Sequence, residues 1–215
     1  SQVARINIAM EDYTFLAGQS LNYTLEGTDS YGNAVDVSAA QVLTNDDNLL
    51  ISPSNSEENP GGSVSGTVAD LYTVTALLGE AIDVEHIEII PTDPATLTLD
   101  VNLGVSGEVE LNNTVACEVE VLDQYGNLSD AQWELSVSGL SESTNIEDDV
   151  SISYSNITFL SEGEFTITAS TIDAPLLQDS YGPIFVDSTG PLLDIITPER
   201  GSWSTSASGS ISGTV

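Results

Sequence analysis

The chain has 215 residues, of which 34 are Asp or Glu and only 2 are Lys or Arg, so its formal net charge is −32. Neutralising phosphates takes many Lys or Arg side chains, which excludes a nucleic-acid partner and disfavours an anionic membrane surface. A hydrophobic fraction of 40% is enough for ordinary cores, and no apolar run approaches the ~18 residues that suggest a membrane span, so no membrane insertion is expected.

Residues 3–9 alternate apolar and polar and read as a first strand. Leu21, Tyr23 and Leu25 then share one face, with Asn22, Thr24 and Glu26 on the other, the period of a half-buried strand. Asp29-Ser30-Tyr31-Gly32-Asn33 follows. Asp and Asn cap their own backbone and Gly takes positive φ at no steric cost, so this pentapeptide is a turn. A strand is expected over 35–43, a turn at Asn45-Asp46-Asp47-Asn48, and a short strand over 49–51. Residues 52–62 contain Pro53, Pro60, Gly61 and Gly62 and read as a loop. Strands near 63–68, 71–77 and 82–90 complete about seven, the pattern of an antiparallel sandwich.

Pro91-Thr92-Asp93-Pro94 reads as a hinge, because two prolines remove backbone donors. Beyond it, Val115, Cys117, Val119 and Val121 face inward while Ala116, Glu118 and Glu120 face out. Asp123-Gln124-Tyr125-Gly126-Asn127 is the same turn again, followed by a strand with Trp133, Leu135 and Val137 on its core face. Further strands are expected over 150–154, 156–160, 164–171 and 181–186. Asp187-Ser188-Thr189-Gly190-Pro191 is a second linker, and Leu192-Leu193-Asp194-Ile195-Ile196-Thr197 opens another repeat. The reading is therefore two domains, 1–91 and 92–188, with 189–215 as the first strands of an incomplete third. Two strands cannot bury an apolar face alone, so either the natural chain continues or a neighbour completes the sheet. No leader is visible at Ser1, as in a mature or trimmed product.

Three landmarks keep nearly constant spacing. The turns lie 94 apart (123 − 29), Leu71-Tyr72-Thr73-Val74-Thr75-Ala76 and Glu164-Phe165-Thr166-Ile167-Thr168-Ala169 lie 93 apart (165 − 72), and the strands opening at Ala4 and Thr96 lie 92 apart (96 − 4). A repeat of this length suits a seven-stranded sandwich of ~100 residues. The two Asp-x-Tyr-Gly-Asn turns, the Tyr72 and Phe165 strands and the 187–191 linker resemble bacterial immunoglobulin-like repeats of the invasin and adhesin type. The resemblance implies an all-β chain of tandem immunoglobulin-like antiparallel β-sandwiches, acting outside the cell as a non-catalytic stalk, spacer or adhesive array. It brings no catalytic residues, and no enzymatic activity is expected. Cys117 has no cysteine partner, and the counterpart of Trp133 is Ala39, so the two cores are expected to pack differently.

Calcium is the sharpest chemical expectation, since hard cations want several oxygen ligands and the turns are rich in carboxylates. Asp29, Asp93, Asp123 and Asp187 are the candidate ligands; further clusters are Asp46, Asp47 and Asn48, then Glu57 and Glu58, then Glu147, Asp148 and Asp149. The competing reading is solvated turn residues, and no other cofactor is expected. His86, the one histidine, reads as a surface strand residue, and Cys117 as a small core residue. Tyr72 is placed to make a tyrosine corner, which Phe165 cannot do. Trp203 is expected in the core of the third repeat, with an exposed binding aromatic as the competing reading. Of the Asn-x-Ser/Thr triplets at Asn22, Asn112, Asn127 and Asn156, Asn22 points outward and suits glycosylation. The absence of lysine excludes a Lys–Asn isopeptide staple. Three functions are thus weighed. The first is a surface spacer whose partners are further repeats, with a host-cell or glycan ligand. The second is a subunit of a filament or S-layer completed by strand addition. The third is a carbohydrate-binding accessory module.

Overall fold

The computed structural model describes residues 2–55, 60–104, 109–141, 149–188, 194–197 and 212–214. All regular structure among them is strand; no helix is long and apolar enough to cross a membrane. Residues 2–90 build two four-stranded sheets. One has the order β1 (Arg5–Met10), β3 (Ser20–Thr28), β6 (Pro60–Gly66), β5 (Leu49–Asn55). The other has the order β2 (Thr14–Leu16), β8 (Ala81–Ile90), β7 (Asp70–Leu78), β4 (Gln41–Thr44).

The same order returns in the second repeat. One sheet runs β9 (Pro94–Asn102), β11 (Thr114–Asp123), β14 (Asn156–Phe159), β13 (Val150–Ser153). The other runs β10 (Val109–Glu110), β16 (Gln178–Asp187), β15 (Gly163–Thr171), β12 (Trp133–Ser141). The fold is all-β and immunoglobulin-like, built twice. Two short additions depart from the strictly antiparallel expectation. β2 pairs parallel with β8, and β10 parallel with β16. In the first repeat the chain crosses from one sheet to the other just after β1. Asp12 makes the crossing by accepting the Tyr13 and Thr14 N–H groups at 2.7 and 3.2 Å. β17 (Asp194–Thr197) and β18 (Ser212–Thr214) form a further antiparallel pair. Contacts group the chain into two compact units. Unit one is Ser1–Thr98, Val119–Glu134 and Ser170–Asp179; unit two is Leu99–Glu118, Leu135–Ala169 and Ser180–Val215.

The first core follows the period-two pattern. Ile6 and Ile8 of β1, Tyr23 and Leu25 of β3, Val64 of β6, Tyr72, Val74 and Ala76 of β7, and Ile87 and Ile89 of β8 are all buried. Tyr23 lies opposite Gly62 across the β3–β6 ladder, where a Cβ would meet its hydroxyl, so the glycine makes room for the ring. Val37 fills the equivalent space over Gly27. In the second repeat, Phe159 and Phe165 pack with ring centroids 5.0 Å apart.

Four expectations need correction. Residues 35–40 form no strand: the segment is held by Val35 N–H to Gly27 carbonyl (3.0 Å), its buried Val37 acts as a plug, and pairing resumes only at β4. The expected loop over 52–62 is largely strand, since β5 runs to Asn55 and β6 starts at Pro60. Pro53 is tolerated because β5 is a sheet edge, and Pro60 because it opens its strand. The third is the 92-residue offset between the opening strands. It pairs buried Ile6 and Ile8 with exposed Thr98 and Asp100, whereas Leu97, Leu99 and Val101 are the buried set. Since a slip of one flips every side chain, the true offset is odd. Finally, β2 and β10, too short to alternate visibly, raise the count above seven strands per repeat.

Candidate functional site

Both Asp-x-Tyr-Gly-Asn turns have one internal geometry. Asp29 Oδ1 accepts the Tyr31 and Asn33 N–H groups, each at 2.9 Å, and the Asn33 amide returns to Asp29 Oδ2 at 3.1 Å. Asp123 Oδ1 accepts Tyr125 N–H at 2.8 Å and Asn127 N–H at 2.9 Å, and the Asn127 amide reaches Asp123 Oδ2 at 2.9 Å. Gly32 and Gly126 sit at φ +83° and +84°, the left-handed region that a side chain resists. Each turn therefore closes on its own aspartate.

Outside that shared frame the copies differ. The second turn belongs to unit one and is locked there by side-chain bonds. Asn127 Oδ1 accepts the Ala69 N–H at 2.8 Å, and its Nδ2 donates to the Thr67 carbonyl at 2.8 Å. Asp123 Oδ2 also accepts the Thr92 N–H at 3.0 Å and hydroxyl at 3.3 Å. The Tyr125 ring lies over Gly18, where any Cβ would overlap its hydroxyl. Asp123 and Asn127 are buried. In the first turn Asn33 is exposed and Tyr31 is 89% exposed, against 43% for Tyr125. Burial alone would raise the Asp123 carboxyl, but hydrogen bonds from the Asn127 side chain, Thr92 N–H and the Asn127 and Tyr125 N–H groups outweigh it and hold the group well below the usual carboxylate range.

This geometry bears on the expected calcium ligands. Asp29 and Asp123 direct their oxygens at N–H donors, which a cation would have to displace. Asp93 and Asp187 are exposed. Among the described residues no three His, Cys, Asp or Glu side chains are arranged to hold a metal. Asp46 accepts the Asn48 N–H at 2.8 Å as a turn cap, and Asp149 is buried with its carbonyl accepting Leu160 N–H at 2.6 Å. Glu57, Glu58, Glu147, Asp148 and Trp203 lie outside the described residues.

The remaining residues fall where sequence placed them. His86 is exposed on β8, with Nδ1 3.2 Å from the Thr73 hydroxyl. Cys117 is buried, and burial pushes its thiol pKa up. Tyr72 donates to the Val68 carbonyl at 2.8 Å, which is the tyrosine corner. Asn22 points outward from β3, and Asn112 and Asn156 are exposed; Asn127, buried in its amide bonds, is shielded from a glycan. What sequence missed is the receiving side of the second turn: Gly18, Thr67, Ala69 and Thr92. None stands out in composition, because backbone groups, a missing side chain and one threonine hydroxyl make the contacts.

No protein-family model matches the chain, and no curated protein matches it. Among solved structures it is similar to invasin, described as a bacterial integrin-binding protein, at 17% identity and a TM-score of 0.58, over 90% of this chain and 42% of that one. It is also similar to FdeC, an Escherichia coli adhesin, at 13% identity and a TM-score of 0.47, over 87% of this chain and 66% of that one. The S-layer protein SbsC, domains 4–9, matches at 17% identity and a TM-score of 0.37, over 90% of this chain and 33% of that one. The chain thus spans about two thirds of the FdeC chain and less than half of the invasin chain. Its fold is that of the immunoglobulin-like domains found in invasin.

Proposed function

We propose that the chain is a non-catalytic structural module of an extracellular surface protein, a spacer that carries an adhesive part away from the cell. The observation that carries this reading is the repetition of one sandwich, strand for strand, with the second turn clasped to the strand ends of unit one by Asn127, Asp123 and Tyr125. Such side-chain locking serves a part that must keep its form. An open groove of about 380 Å³ beside β1 is lined by Ala4, Arg5, Glu26, Thr28 and Asp83. Invasin, of the same fold, is described as integrin-binding, which makes a host-cell protein the partner class proposed for the parent protein of this chain. Antibody against residues 1–188 is expected to stain intact cells of the producing organism. Staining only after permeabilisation would overturn the proposal.

An ordered surface assembly is the second reading. Among the described residues β17 and β18 make a two-stranded sheet, and two strands are too few to bury an apolar face, so strand addition from a neighbour is one way to complete it. Concentration-dependent filaments or lattices of the purified chain in electron micrographs would favour it.

A further inference from the structure

The two turns differ at one residue of five, Ser30 against Gln124, yet among the described residues only the second has its asparagine amide bonded outside the turn and its tyrosine half-covered. The first presents the same groups outward: the exposed Tyr31 ring, on a backbone whose N–H Asp29 accepts, and the exposed Asn33 amide, which Asp29 holds. We infer that the Asp29–Asn33 turn is a docking plug for another immunoglobulin-like module of the first-sandwich kind, joined ahead of β1 on the same polypeptide.

The second turn defines what that module must offer. It needs a position without a side chain, as at Gly18, to accept the tyrosine ring. It needs a backbone carbonyl and N–H two residues apart, as at Thr67 and Ala69, to satisfy one asparagine amide. In the second turn the aspartate also accepts the Thr92 N–H and hydroxyl. A second molecule of this chain meets these terms poorly. Its own Gly18 seat is filled by its Tyr125. In the second repeat the equivalent position, 94 residues on (112 − 18), is Asn112. The equivalence is structural too: Gly18 N–H bonds the Gly66 carbonyl and Asn112 N–H the Phe159 carbonyl, and φ is +79° and +66°. Asn112 carries the side chain that the seat excludes. The occupant is therefore a covalently preceding module with glycine at that place.

The inference rests on the spacer reading, but tyrosine labelling tests the dock and surface staining tests the spacer, so the two fail separately. In the first arm, a further copy of residues 1–93 is fused ahead of Ser1 of the full chain, and nitration of each tyrosine is mapped. Tyr31 is expected to fall from its 89% exposure to near the 43% of Tyr125, roughly a halving of its labelling rate. Gly18→Val in the added copy alone should restore the original rate. An unchanged Tyr31 rate, with Tyr23 and Tyr72 of the added copy still protected as core residues, would overturn the inference. The second arm needs no fusion. Gln124→Ser makes the second turn identical to the first, and Tyr125 should keep its protection. If Tyr125 in that variant reacts as fast as Tyr31, the first pentapeptide is not competent to dock and the inference fails.

Discussion

Asn127 and Asn33 form a natural pair of controls, because one sequence position has two fates. Asn127→Ala removes the bonds to Ala69, Thr67 and Asp123 from a buried amide, and is expected to cost about 2–3 kcal/mol in urea unfolding. Asn33→Ala removes an exposed side chain that bonds only Asp29, through part-buried bonds, and should cost less, about 1 kcal/mol. Two tyrosines make a second contrast. Tyr72→Phe breaks the corner bond to Val68 and should cost about 1 kcal/mol. Tyr23 has a buried hydroxyl with no hydrogen-bond partner among the described residues, so Tyr23→Phe should leave stability unchanged or raise it. Asp123 gives a pH signature. Its folded carboxyl lies below the unfolded value of about 3.9, so its contribution is present above that pH and is lost as pH falls below it. Thermal melts from pH 5 to pH 2 should therefore decline more steeply for the natural chain than for Asp123→Asn. Relief of repulsion among the other carboxylates is common to both and cancels in the comparison.

At the scale of elements, the short crossing strand β2 anchors one sheet to the other through Phe15, which is buried while Leu16 beside it is exposed. Phe15→Ala is expected to cost about 3–4 kcal/mol and Leu16→Ala almost nothing, read from the same unfolding curves. β2 also shows where sequence stops speaking. Long strands were legible because alternation over β3, β7, β11 and β15 records which face is wet. Three residues of β2 and two of β10 are too few for a period to declare itself. Prolines misled for a related reason: Pro53 marks a loop only if its strand has a neighbour on both sides, and edge position is a tertiary fact. The turn was legible as a turn, since Asp, Gly and Asn act within five residues. Its receivers were not, because Thr67 and Ala69 contribute backbone groups that every residue possesses.

For the whole molecule, the net charge of −32 dominates the response to solvent. Self-repulsion weakens as the Debye length shrinks to about 3 Å at 1 M salt, so sodium chloride should raise the melting temperature continuously. The same titration tests the calcium expectation. A gain beyond that of sodium at equal ionic strength, abolished by Asp93→Asn with Asp187→Asn, would support it, and equal gains would remove it. The central claim is that one sandwich is built twice and serves by resisting extension. Pulling single molecules from their two ends tests this most directly. Two separate unfolding peaks are expected, each releasing about 300 Å, the length of some ninety residues at about 3.5 Å apiece less their folded span. A single peak releasing the whole chain, or smooth extension without peaks, would contradict it.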